Sequence, residues 1–132
     1  MKPHETGKIQ RIAILVPYKN RLANLQIFLL NMHEFLLRQN IHYGIYLIEP
    51  FDSNVPFNRG LLANIGFLEA LKDKTNKWNC FFIHDVDLLP ENNFNFYKCD
   101  QKYPLQYGVL LSEFNYELKV SFCILSNLIM TY

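Results

Sequence analysis

The chain has no charge excess. Its 13 Lys and Arg stand against 12 Asp and Glu, a net charge of +1. No broad positive field exists to draw in nucleic acid or an anionic membrane. Long apolar runs are also missing. No stretch of about 18 uninterrupted apolar residues occurs, so no transmembrane helix is encoded. Val120–Met130 is apolar but short, and Ser121, Ser126 and Asn127 interrupt it, so it reads as a buried strand or short helix. Residues 1–10 (MKPHETGKIQ) are polar and lack the apolar centre of a signal peptide. Five glycines and six prolines in 132 residues exclude collagen-like and low-complexity classes. There is no Asn-x-Ser/Thr acceptor, no CxxC, no HExxH and no Cys/His zinc spacing. What remains is half apolar and 15% aromatic, enough to bury a core, so a disordered tail is excluded and one domain is expected.

The apolar pattern alternates between two periods. Arg11–Val16 (RIAILV), ended by Pro17, reads as a buried strand. Arg21–Gln39 reads as an amphipathic helix, with Leu22, Leu25, Leu29, Met32 and Leu36 on its stripe and Phe28 and Phe35 widening it. Tyr43–Ile48 is a second buried strand, and Pro50–Pro56 a loop. Arg59–Leu71 is a second helix, with Asn58 as N-cap and Leu61, Leu62, Ile65 and Leu68 on one face. Asp73–Asn79 is a polar turn, and Cys80–Ile83 a third buried strand. A βαβαβ order implies an α/β fold, a parallel sheet covered by helices with right-handed crossovers. Ligands in such sheets sit at the carboxyl ends of the strands. Tyr18–Arg21, Phe57–Arg59 and Asp85–Asp87 all fall there.

Each cluster suits anionic or cationic ligands. Asp85-Val86-Asp87 follows an apolar strand, and in an extended segment both carboxylates would face the same way. Hard oxygens suit Mg²⁺ or Mn²⁺, which can bridge and neutralise two phosphates. The plainer reading is two acids capping a turn before Pro90. Lys19 and Arg21 open a helix, where cations and backbone donors together can hold phosphate; the plainer reading is two solvated surface charges. Arg59 also opens a helix, against the macrodipole, which points to a compensating anion. Phe57 could stack on a base or ribose, or could simply be a core residue. Cys80 and Cys99 bracket the acids, with Cys123 left over; a disulfide and buried free thiols both fit the count. His84 beside the acids reads as packed or hydrogen-bonded rather than catalytic. His4, His33 and His42 are scattered and form no triad.

Four ordered motifs carry a resemblance. Val16-Pro17-Tyr18-Lys19-Asn20-Arg21, Tyr43-Gly44-Ile45-Tyr46, Phe57-Asn58-Arg59 with Leu61-Leu62 and Asn64-Ile65-Gly66-Phe67, and Cys80 through Pro90 followed by Tyr97-Lys98-Cys99 lie at matching intervals. Together they resemble the N-terminal half of the catalytic domain of β-1,4-galactosyltransferases and their N-acetylgalactosaminyl-transferring relatives, over about residues 11–118. The resemblance implies an incomplete GT-A fold, a Rossmann-like nucleotide-sugar-binding arrangement in three layers, α/β/α. It implies that Pro17, Tyr18, Lys19, Arg21, Phe57, Arg59, Asp85 and Val86 meet UDP and its sugar, that Asp87 ligates Mn²⁺, and that Cys80 and Cys99 form a disulfide. It further implies a Golgi-lumen setting and inverting transfer from UDP-galactose or UDP-N-acetylgalactosamine to a terminal N-acetylglucosamine or glucose. Such a displacement needs a carboxylate base on the acceptor and a metal at the leaving diphosphate.

The sequence also departs from the family. Lys19 stands where Arg is commoner, which replaces a fork by a point charge. Glu113 stands before Phe114 where Lys is frequent, and would oppose a diphosphate. The match stops after Tyr116-Glu117-Leu118; the Gly-Gly segment, the Trp-Gly-Trp-Gly-Gly-Glu-Asp-Asp region and the later metal-binding His of the family have no counterpart. The resulting expectation is a polar segment at 1–10, a donor-binding region at 11–118 and a divergent apolar tail at 119–132. No acceptor site, stem or membrane anchor is expected, and little transferase activity from the chain alone. The alternatives are a non-catalytic UDP-sugar-binding module and an inactive truncated fragment.

Overall fold

The computed structural model describes residues 10–99, 105–106 and 122–125. RIAILVP forms β1 (Arg11–Pro17), whose residues after Arg11 are all buried. Burial on both faces is what an unbroken β-branched run requires. β1 is flanked by two parallel partners, β2 (His42–Ile48) and β3 (Cys80–Ile83). α1 (Leu22–Arg38) links β1 to β2, and α2 (Arg59–Lys72) links β2 to β3. Two short strands, β4 (Leu105–Gln106) and β5 (Phe122–Leu125), complete a five-stranded sheet of order β2-β1-β3-β5-β4. β5 pairs antiparallel with β3 and β4, so the sheet is mixed rather than wholly parallel. β5 falls within the run expected to be a strand or short helix, and it is a strand; the rest of that run, Glu113 and Phe114 lie outside the described residues.

The core divides into the two layers expected of α/β/α. Ile12, Ile14 and Val16 of β1 pack with Phe28, Met32, Phe35 and Leu36 of α1 and with Phe82. Ala13 and Leu15 face the other way, against Ala63 and Ala70 of α2, Trp78 and Phe81. Strand alternation thus sends one set of side chains to each helix.

Both helical stripes differ from expectation. In α1 the first-turn Leu22 is 64% exposed, because the helix meets the sheet only from its second turn. In α2 the buried residues are Leu62, Ala63, Gly66 and Ala70, whereas Leu61, Ile65 and Leu68 are exposed. The sheet beneath α2 already carries the bulk, in Leu15, Ile48 and Phe81. The helix therefore presents its small residues. A Cβ on Gly66 would meet Ile48 Cδ1 at 2.5 Å. Gly44 has a similar role in β2, where a Cβ would meet the indole of Trp78 at 2.7 Å.

The Cys80–Cys99 disulfide is formed, which removes the free-thiol alternative for this pair. Gln10 clasps the same point, its side-chain amide donating to the Cys99 carbonyl at 2.7 Å and accepting from the Cys99 amide at 3.1 Å.

Candidate functional site

The chain leaves β1 for β2 on one side and returns through α2 to β3 on the other. The carboxyl ends of β1 and β3 therefore flank a topological switch point, where open α/β sheets leave a crevice. A cleft of about 390 Å³ lies there, lined by Pro17, Lys19, Arg21, Phe57, Asp85, Val86 and Asp87.

Local structure aims each residue. Asn20 has φ 50°, a left-handed conformation that Asn tolerates better than most residues, and this turns the chain from β1 into α1. Arg21 becomes the N-cap residue of α1, and its carbonyl accepts from Leu25 at 2.9 Å. Asn58 caps α2 as expected, its side chain accepting from the Leu61 amide at 3.0 Å. After β3 the chain turns, with Leu88 N–H donating to the Asp85 carbonyl at 3.3 Å. Asp85 and Asp87 thus sit around a turn, not along the extended segment that alternation had suggested. Both carboxylates pair with arginine side chains, a different geometry from the expected cap on the turn.

The turn sends the two carboxylates to different arginines. Asp85 takes both arms of Arg59, at 2.6 Å and 3.2 Å. Asp87 pairs with Arg21. Asp85 is the compensating anion that Arg59 needs at the start of α2. The Lys19 ammonium donates to the Val55 carbonyl in the loop before α2. Phe57 is about half exposed at the cleft, whereas Val86 is buried.

Two expected residues are placed differently. Tyr18 is 8% exposed and packs in the α1-side core, so only its neighbours Pro17 and Lys19 reach the cleft. Arg59 does not line the cleft and acts on it through Asp85.

His84 and Tyr97 were not expected as a unit. The His84 Nδ1 lies 2.9 Å from the Asp85 carbonyl, and its Nε2 lies 2.7 Å from the Tyr97 hydroxyl. A carbonyl only accepts, so Nδ1 carries the proton and Nε2 accepts from Tyr97. Desolvation holds the His84 pKa below its ordinary value and pushes the Tyr97 phenol well above its own. His84 is thus hydrogen-bonded, as expected, and it supports the backbone of the acidic turn. Gln10 was also missed. It lies in the polar leading segment, and its clasp on Cys99 depends on a sequence separation that no local pattern reports.

A cation can be tested against this donor set. Among the described residues, no group of three or more His, Cys, Asp and Glu side chains gathers. Asp87 offers one hard, 43% exposed carboxylate at the cleft. That fits a Mn²⁺ or Mg²⁺ ion whose shell is completed by phosphate oxygens and water, the usual mode for such ions beside nucleotides.

Solved structures with this architecture bear on its class. A mutant Drosophila β-1,4-galactosyltransferase 7, in complex with manganese, UDP-Gal and xylobiose, superposes with TM-score 0.75 at 28% identity, covering 89% of this chain and 49% of that one. The catalytic domain of the Drosophila enzyme in complex with xylobiose gives 0.74 at 29% identity, with the same coverage. The fold is that of a GT-A-type α/β domain. The family described as the N-terminal region of glycosyl transferase group 7 matches residues 1–100, and the chain belongs to that family. Human β-1,4-galactosyltransferase 4 is 46% identical over 120 residues, which are 91% of this chain and 34% of that protein. Bovine β-1,4-galactosyltransferase 3 is 46% identical over 117 residues, 89% of this chain and 29% of that protein. The chain thus spans about a third of the length of these relatives and half of the solved chains.

Proposed function

We propose that this chain is the donor-binding part of a β-1,4-galactosyltransferase, holding the UDP portion of UDP-galactose or UDP-N-acetylgalactosamine. The observation that carries the reading is the gathering of Lys19, Arg21, Asp85 and Asp87 in one cleft at the switch point. Membership of the group 7 family supports it. Residues 11–118 make up this donor-binding region, between a polar segment at 1–10 and a tail at 119–132.

In this reading Arg21 and Lys19 pair with the diphosphate oxygens. Phe57 lies against the base or ribose, and Pro17 and Val86 shape the wall. Asp85, fixed by Arg59, accepts from ribose or sugar hydroxyls. Asp87 holds Mn²⁺, which when bound neutralises charge on the leaving diphosphate. The complete reaction would be inverting transfer to a terminal N-acetylglucosamine or glucose in the Golgi lumen.

Calorimetric titration of UDP into the chain with Mn²⁺ tests the reading. Saturable heat is expected, and its absence at millimolar UDP would sink the proposal. Hexose transfer from UDP-galactose is expected to be little or none with the chain alone; robust transfer would overturn the assignment to the donor half only.

A further inference from the structure

We infer that His84 is a positioning residue for the donor site, holding the turn from Asp85 to Leu88 through its Nδ1–H while Tyr97 fixes its ring. This rests on the donor-binding reading and concerns what keeps the same site in shape. The reading uses the side chains of Asp85 and Asp87, whereas His84 bonds to the backbone of the turn. Its own amide donates to the Leu15 carbonyl at 2.8 Å, so its main chain still belongs to the sheet. Its side chain then reaches one residue forward to the Asp85 carbonyl, which also accepts from the Leu88 amide that closes the turn. The ring thus couples the end of the sheet to the first peptide of the turn. Rotation of that peptide would swing Asp85 from Arg59 and Asp87 from Arg21, so one bond bears on both pairs.

One orientation of the ring satisfies both of its ends. Nδ1 donates to the Asp85 carbonyl, and Nε2 accepts from the Tyr97 hydroxyl. A half-turn of the ring would set its carbons, Cδ2 and Cε1, against these two oxygens. Phe28 packs on the ring edge-on, with centroids 5.1 Å apart. Tyr97 is itself a fixed post. Its amide donates to the side chain of Gln39, at the end of α1, at 3.0 Å. Its ring meets Phe82 at 4.8 Å and Phe35 at 5.9 Å. Cys99, two residues on, is bonded to Cys80 at the start of β3. β3 and the Tyr97 segment are therefore joined twice, by the disulfide where the strand begins and by the His84–Tyr97 hydrogen bond just past its end. The acidic turn springs from that second joint.

Amide side chains separate the two ring nitrogens. An Asn amide nitrogen stands where Nδ1 stands, and a Gln amide nitrogen where Nε2 stands. The test uses the 132-residue chain and two variants, with UDP affinity read by calorimetry in Mn²⁺ and stability by urea denaturation. His84→Asn and His84→Gln both lose the packed ring and are expected to lower the denaturation midpoint alike. His84→Asn is expected to keep UDP affinity within about threefold of the parent, and His84→Gln to lose about tenfold, the scale of one hydrogen bond. A role confined to packing would move the two affinities together. The parent gives a second arm that needs no variant, since its imidazole nitrogen chemical shifts are expected to show the Nδ1–H tautomer. Equal UDP affinities of the Asn and Gln variants, or an Nε2–H tautomer in the parent, overturn the inference and leave the donor reading standing. Absence of UDP binding by the folded parent overturns both.

Discussion

Arg59 grips Asp85 with two hydrogen bonds, Nε to Oδ1 at 2.6 Å and Nη2 to Oδ2 at 3.2 Å. The first residue of α2 is thereby tied to the first residue after the His84 turn entry, across the switch point. Only a planar fork can make both bonds at once. Arg59→Lys keeps the charge and loses the fork. It is expected to lower stability by about 1 kcal/mol or less, the scale of partly exposed ion pairs, yet to weaken UDP binding clearly. Urea denaturation and calorimetry on one preparation separate the two effects; unchanged UDP affinity would show that Asp85 needs no such anchor.

The Cys80–Cys99 disulfide brackets the whole acidic turn. Its sequence separation of 19 predicts that the Cys80→Ser, Cys99→Ser double variant loses about 3 kcal/mol by chain-entropy reasoning. Dithiothreitol should reproduce the loss in the parent and have little effect on the variant. Equal denaturation midpoints for parent and variant would contradict this.

Two groups give the stability an acid limb. The Asp73 pKa is lowered to about 2 from 3.8, first by the Asn76 side chain and amide and then by the Tyr46 hydroxyl. A depressed carboxylate stabilises the fold above its unfolded pKa, so this contribution is full above pH 3.8 and lost as pH falls through about 2. His84 acts at higher pH with the same sign. Its folded pKa lies below the ordinary 6.5, so the folded state resists the proton that the unfolded chain accepts, and stability falls as pH drops below 6.5. Denaturation midpoints across this range are expected to fall in two steps, and Asp73→Asn should remove only the lower one. A His84 ring resonance titrating at or above 6.5 would refute the upper step.

Gly44→Ala places a methyl 2.7 Å from Cζ2 of Trp78. Trp78 cannot yield freely, because it is buried and its indole N–H donates to the Tyr46 hydroxyl at 2.7 Å. Overpacking of this kind costs about 1–3 kcal/mol. Trp78 is the chain's one tryptophan, so its emission should shift to the red as the ring moves. An unshifted spectrum with parental stability would show that the ring has room.

Much of this was legible in the residues. The β1, β2 and β3 runs and both helices emerged within a residue or two, because each is a strong period bounded by Pro, Asn or a polar turn, although β2, read as buried, is an edge strand with no buried residue. The cleft residues were legible because strand order fixes where strand ends converge. The buried face of α2 was not. Its exposed leucines outweigh the small residues it packs with, and only the bulk of the sheet beneath explains that choice. Nor did periodicity reveal that Asp85 and Asp87 diverge to separate arginines, since a turn replaces the extended geometry that alternation assumes. The placement of Tyr18 in the core likewise depends on the direction of one side chain after the strand ends.

The position of β5 between β3 and β4 has a consequence for the order of assembly. β1, β2 and β3 come from the first two-thirds of the chain and pair among themselves. Until Phe122–Leu125 has left the ribosome, one edge of β3 stands open with its amides and carbonyls unpaired. The three-strand unit and its two helices are synthesised first, whereas the last pairing waits only on the emergence of β5, since β1–β3 pairing already joins residues further apart in sequence than β3–β5 pairing does. A nascent chain paused before Phe122 would thus carry a formed cleft beside a sticky strand edge, a species inclined to self-associate and suited to capture by a chaperone.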